Sequence, residues 1–114
     1  MKDQELTIEI KEQSGFTVVA PMGEIKRIEE SNSLQEKIFE LINKGMMSLA
    51  VDLTNCTYLD SSAVNVLVSG FHGMNKKSGK FIIVQSQHED VNSILELVGV
   101  DKIIQMVASV QELS

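Results

Sequence analysis

The run Leu49-Ala50-Val51-Asp52-Leu53 narrows the choice of fold more than any other segment of the chain. It is short, almost wholly apolar and without the strict alternation of a half-wet strand. A strand covered on both faces reads this way, and such strands belong to parallel sheets flanked by helices. Behind it comes a polar stretch, Thr54 to Asp60, and then Ala63, Val64, Leu67, Phe71 and Met74 at helical spacing, which predicts a helix over 61–74.

The same alternation of periods extends in both directions. Leu6, Ile8 and Ile10 alternate with Thr7 and Glu9, as in a strand with one wet face, and this strand belongs at a sheet edge. Gln13-Ser14-Gly15 turns the chain into a second, more buried strand, Phe16 to Pro21, with the proline marking its end. Ser33 and Glu36 have capping-box spacing, and Leu34, Ile38, Leu41 and Ile42 form a stripe that stops at Gly45, predicting a helix over 33–44. Phe81 to Val84 reads as a strand, Val91, Ile94, Leu95 and Val98 as a helical stripe ending at Gly99, and Ile103 to Val107 as a last short strand. Ser109 with Glu112 would cap a final helical turn or a longer helix.

These elements make an α/β fold: a mixed sheet that opens with an N-terminal hairpin, continues as parallel strands joined by right-handed helical crossovers, and carries about four helices. The carboxyl ends of the parallel strands would gather 23–28, 54–62 and 85–89 at one edge, the usual place for a ligand or partner in an open α/β sheet.

A length of 114 residues suits one domain, 1–114. Ten Lys and Arg against sixteen Asp and Glu leave a formal charge of -6, the wrong sign for steering onto phosphate backbones, so no direct nucleic-acid binding is expected. Met1 to Glu5 lacks the apolar run of a signal peptide and no later run approaches membrane-spanning length. The expectation is a cytoplasmic protein, or a cytoplasmic domain of something larger, with no membrane insertion and monomeric when free. Cys56 is the sole cysteine, which excludes an intrachain disulfide and a cysteine metal cluster. Without a basic neighbour in sequence to lower its thiol pKa, it reads as a small buried hydrophobe rather than a redox sensor.

Asp60-Ser61-Ser62 places two hydroxyls and a carboxylate at a helix entrance. Asp60 suits an N-cap, accepting from amides two or three residues on. Ser61 then falls in the first turn, where free amide dipoles favour an added anion. A serine nucleophile would need a base and oxyanion donors. His72 lies about eleven residues on, roughly 16 Å along a helix, and His88 belongs to a loop. There is no Gly-x-Ser-x-Gly elbow, no His-Glu-x-x-His, and no Gly-rich phosphate loop. No catalytic residue, metal or cofactor is expected. Thr54, Thr57 and Ser62 either tune this edge or make ordinary turn hydrogen bonds, and Tyr58 either packs over the loop or offers a partner contact.

At this motif the sequence resembles the STAS-domain family, in particular the bacterial anti-sigma factor antagonists, or anti-anti-sigma factors. Members present Asp-Ser-Ser/Ala-Gly/Ala at the start of the second helix, matched by Asp60-Ser61-Ser62-Ala63. Gly23-Glu24 resembles the family's opening before its first helix, Val51-Asp52-Leu53 the strand before the phosphosite, and Leu97 to Ile104 its late segment, so the anchors span nearly the whole chain. The resemblance implies that Ser61 is phosphorylated by an anti-sigma factor that is also a serine kinase, with Asp60 contributing local geometry or partner recognition.

It further implies partner switching in transcription regulation. Unphosphorylated antagonist binds the anti-sigma kinase and frees a sigma factor, phosphorylation weakens that complex, and a serine phosphatase resets Ser61. The chain would then be a phosphoprotein substrate and binding module, not an enzyme, with Glu24, Lys26, Arg27, Thr57, Tyr58, Asp60, Ser61 and Ser62 as the partner-binding set. Two positions depart from the family pattern. Ile25-Lys26-Arg27 carries a basic pair where an acid is common; the pair would contact phosphorylated Ser61, attract an acidic partner, or solvate a loop. Ala63 replaces the commonest glycine, favouring helix by roughly 0.8 to 1 kcal/mol. The alternative function is a noncatalytic STAS scaffold in a larger signalling complex, or an accessory to lipid or anion transport.

Overall fold

A computed structural model describes residues 6–114; the leader reading of Met1 to Glu5 lies outside them. The expected hairpin is formed by β1 (Thr7–Gln13) and β2 (Phe16–Ile25), antiparallel throughout. Its two-residue loop puts both Ser14 (φ 55) and Gly15 (φ 84) in the left-handed region. That is the demand of a turn whose twist matches the strands it joins.

From β2 the chain crosses by α1 (Ile28–Asn43) to β3 (Ser48–Asp52), runs through β4 (Cys56–Leu59) into α2 (Ser61–Lys76), and returns in β5 (Lys80–Val84). A third helix, α3 (Glu89–Leu97), leads through a short 3-10 turn to β6 (Gln105–Val107). The sheet order is β1-β2-β3-β5-β6, with β2, β3, β5 and β6 parallel and β1 at the edge.

The expected elements are present, with four differences. Pro21 does not end β2. It pairs with Ile8 and falls between Val19, which pairs with β3, and Gly23, which pairs with β4, so the proline sits where the neighbour on that side changes. As a result Gly23 to Ile25, expected in a loop, are strand.

The second difference is β4 itself, in a stretch read as a turn. From Val19 to Gly23 is four steps along β2, whereas their partners Val51 and Cys56 are five apart, so β4 prolongs the line of β3 after a bulge. Third, α1 begins at Ile28 rather than 33. Glu30 reaches back to accept from the Lys26 and Arg27 N–H groups, both at 3.0 Å, while the Ser33 hydroxyl bonds the Glu29 carbonyl instead of capping. Fourth, the final element is the shorter of its two expected forms, a single 3-10 turn at Val110–Glu112 behind Ser109, so the described residues hold three α-helices where about four helices were expected.

Alternate residues of the central strands serve two cores. Val19, Leu49, Val51, Phe81 and Ile83 pack with Leu34, Ile38, Leu67 and Leu95 of the helices. On the other face Phe16, Val18, Ala50, Ile82 and Val84 pack with Leu113 of the C-terminal segment. Both faces are covered, which is why Leu49 to Leu53 shows so little polar alternation. Among the described residues no helix is long and apolar enough to cross a membrane.

Candidate functional site

Three connections meet at the carboxyl edge of the sheet, and their backbones are tied together. The Gly23 N–H donates to the Asn55 carbonyl at 3.0 Å, Gln87 N–H to Thr54 at 3.1 Å, and Asp60 N–H to Ile25 at 3.1 Å. The buried Ser86 hydroxyl donates to the Cys56 carbonyl at 2.7 Å and accepts from the His88 N–H at 2.9 Å. Asn92 of α3 closes the group, accepting from the Ser86 N–H and donating to its carbonyl, both at 2.9 Å. This network gives the edge a fixed shape.

The turn after β3 is held from within. Asp52 is buried, accepts from the Thr54 N–H at 3.0 Å and from the Thr54 hydroxyl, and faces Lys11 Nζ at 3.9 Å. Thr54 is therefore a turn residue. Beyond it Cys56 and Leu59 point into the core while Thr57 is half-buried and Tyr58 exposed. Burial pushes the Cys56 thiol up to about 11, although its Sγ lies 3.4 Å from the Tyr58 carbonyl, and so keeps it protonated and inert.

At the start of α2, Asp60 has extended backbone and its carboxylate accepts from the Ala63 N–H at 3.1 Å, the expected N-cap. Ser61 is the first helical residue and is exposed; Ser62 is half-buried behind it. Among the described residues no side chain or backbone group bonds the Ser61 hydroxyl. Beside it a groove of about 470 Å³ runs between α2 and α3, with Val64, Val68, Ile94 and Val100 among its walls.

The predicted partner set divides in two. Glu24 pairs in register with Tyr58, and Ile25 with Leu59, so Glu24, Thr57, Tyr58, Asp60, Ser61 and Ser62 share one edge. Lys26 and Arg27 follow directly in the β2–α1 connection, and both have acidic neighbours within it: Lys26 Nζ lies 2.9 Å from Glu24, and Arg27 Nη2 lies 3.2 Å from Glu30. The Glu30 carboxyl is held below its usual range, first by the Lys26 N–H and then by the Arg27 backbone and guanidinium, against a partial opposing effect of burial.

The two histidines lie apart from this constellation. His72 is exposed on α2, its ring 5.5 Å from that of Phe71, and His88 is exposed at the N-cap of α3. No group of three or more His, Cys, Asp or Glu side chains among the described residues could hold a metal ion. Sequence reasoning missed the Ser86–Asn92 pair. Its one signal was an asparagine beside Val91 in the apolar stripe of α3.

The family model described as the STAS domain matches residues 7–113. Among solved structures, an anti-sigma factor antagonist from Mycobacterium paratuberculosis is 21% identical with a TM-score of 0.85, covering 95% of this chain and 90% of that one. The anti-sigma factor antagonist SpoIIAA in its unphosphorylated form is 15% identical with a TM-score of 0.71, covering 95% and 92%. The Bacillus cell fate determinant SpoIIAA in its phosphorylated form is 13% identical with a TM-score of 0.70, covering 92% and 95%. At these identities the structural likeness speaks for the fold.

Proposed function

The chain belongs to the STAS-domain family, and on that premise we propose that it is an anti-sigma factor antagonist, which binds an anti-sigma factor serine kinase, releases a sigma factor, and loses that binding when Ser61 is phosphorylated. The observation that carries this reading is the placement of Ser61: exposed, first in α2, behind a cap supplied by its neighbour. A kinase needs a reachable hydroxyl, and a switch needs a site where the new group is tolerated by the fold. Both conditions hold here, since a phosphate adds about -1.5 to -2 charges at a helix N-terminus, where backbone dipoles favour an anion.

In this reading the chain is substrate and binding module, and a serine phosphatase restores the hydroxyl. Tyr58, Asp60, Ser61 and Ser62 meet the partner, with Thr57 and Glu24 beside them. Lys26 and Arg27, engaged with Glu24 and Glu30, form a charged rim on the same edge. That two structural neighbours are phosphorylated and unphosphorylated forms of SpoIIAA is consistent with such a cycle.

The test is phosphate transfer from labelled ATP by the cognate anti-sigma kinase. Label should map to Ser61 and vanish in Ser61→Ala; efficient labelling of that variant overturns the site. Stoichiometrically phosphorylated protein should bind the kinase more weakly, and an unchanged affinity overturns the switch. Ser61→Asp supplies one compact carboxylate and should copy the effect only in part.

A further inference from the structure

The groove beside Ser61 is one end of a longer trough. A second groove of about 350 Å³ adjoins it, sharing Tyr58, Leu59 and Ile94 as walls. The lining is mainly aliphatic, with Val64, Val68, Ile94, Val98, Val100 and Ile103 in the larger part. Val98 is 57% exposed and Ile103 51%, and Leu97, beside Val98 at the end of α3, is 87% exposed. Isolated exposed hydrophobes are ordinary, but a contiguous set along a groove marks a surface that another molecule covers.

The polar lining has one sign. Asp60 stands in the larger part and Asp90 in the smaller, and among the described residues no Lys, Arg or His lines either. An occupant of this trough therefore needs an apolar stripe and basic flanks. The larger part is walled by α2 on one side and by Ile94 and the segment after α3 on the other, the smaller by β4 and α3. An open channel with aliphatic walls suits a helix, read out by side chains one turn apart.

We propose that the trough along α3, walled on its other side by α2 and β4, docks a basic amphipathic helix of the anti-sigma partner, with aliphatic anchors on Val68, Ile94, Val98 and Ile103 and lysine or arginine facing Asp60 and Asp90. The inference rests on the antagonist reading above and adds a mechanism to it. Ser61 is itself part of the lining, so a phosphate there stands inside the docking surface. Its sign matches the basic flank, but it adds bulk and about -1.5 to -2 charges where the apolar stripe must seat, and covering it there carries the desolvation cost of a charge.

The test titrates the unphosphorylated, nitrogen-15-labelled chain with a 14-residue peptide carrying Leu at helical i, i+3, i+4 and i+7 spacing and Lys elsewhere. A peptide with the same stripe and Glu in place of Lys is the control. The Leu–Lys peptide should move the amide signals of Val64, Val68, Ile94, Val98 and Ile103, and the Leu–Glu peptide should not. Val98→Ser and Ile103→Ser, at exposed positions that spare the core, should each weaken binding roughly tenfold, as expected for one lost aliphatic anchor.

Equal binding of the Leu–Glu peptide, shifts confined to another face, or no shifts at all would overturn the docking proposal. Phosphoserine incorporated at position 61 should abolish the response. If trough binding persists with phosphoserine, the docking surface stands and its coupling to Ser61 fails. If the kinase labels Ser61 while no peptide enters the trough, the docking proposal alone fails.

Discussion

The Asp60 carboxylate accepts from the Ala63 backbone N–H at 3.1 Å, so the residue next to the phosphoacceptor is spent on capping the helix that presents it. The Asp60 N–H in turn donates to the Ile25 carbonyl at 3.1 Å, fixing the start of α2 to the end of β2. One residue thus sets both the direction of the helix and its distance from the sheet, which leaves the Ser61 hydroxyl free of structural duty.

Asp60→Ala should lower stability by about 1 kcal/mol, the usual cost of removing an N-cap oxygen, whereas Asp60→Asn keeps an acceptor and should cost little. Urea denaturation checks this, as a shifted midpoint with unchanged slope for alanine and a near-native midpoint for asparagine. If asparagine costs as much as alanine, the charge and not the cap holds the helix.

Asn92→Ala should be more damaging. It deprives the buried Ser86 N–H and carbonyl of their partners, both now at 2.9 Å. Leaving buried groups unsatisfied costs roughly 1 to 3 kcal/mol each, so a loss of at least about 2 kcal/mol is expected in the same denaturation assay. Because the Ser86 hydroxyl also holds the Cys56 carbonyl at 2.7 Å, amide-proton exchange should quicken in 56–59 as well as in α3. A loss under 0.5 kcal/mol, roughly that of a neutral surface substitution, would refute the structural role.

What was legible in the sequence is what periodicity records. Leu49 to Leu53 announced a strand buried on both faces, the stripes of α1, α2 and α3 announced helices, and Asp60 announced its cap. The rest depends on contacts between distant segments. Cys56 to Leu59 is strand because the end of β2 lies open beside it, and no local pattern says that Gly23 will face Cys56. Pro21 reads as a stop until β2 is seen to change neighbours around it. Ser33 and Glu36 carry a valid capping pattern that loses to Glu30, whose two bonds to backbone N–H groups start the helix five residues earlier. At the site, Ser61 stood out through its motif, while the trough wall at Val98 and Ile103 arises only when α3 and the following turn are set across the groove from α2.

Cys56 should be close to unreactive in the folded protein. Its side chain has no exposure and burial pushes its thiol up to about 11, from an ordinary 9.0. That rise cuts the thiolate fraction near pH 8 by about a hundredfold, before access is considered. Iodoacetamide at pH 8 should therefore label native protein far more slowly than protein in concentrated urea. Comparable rates would place the thiol at the surface, outside the core.

Acid should loosen the connection that carries Lys26 and Arg27. Glu30 accepts from the N–H groups of both, at 3.0 Å each, and from the Arg27 guanidinium at 3.2 Å. These bonds, the Lys26 N–H foremost, favour the carboxylate and lower its pKa from an ordinary 4.5 in the folded state. The unfolded chain therefore takes up the proton first. The contribution of Glu30 to stability is complete above the unfolded value, near 4.5, and is lost as pH falls through the lower folded one. Glu30→Gln keeps the Oε1 acceptor that both backbone N–H groups reach but has no such proton to bind, so its deficit relative to the native sequence, about 0.5 kcal/mol at neutral pH for the lost charge, should shrink on acidification. Unfolding free energies from urea titrations between pH 7 and pH 3 measure that gap. A gap that stays constant, or widens toward acid, would mean that the Glu30 carboxylate does not hold the start of α1.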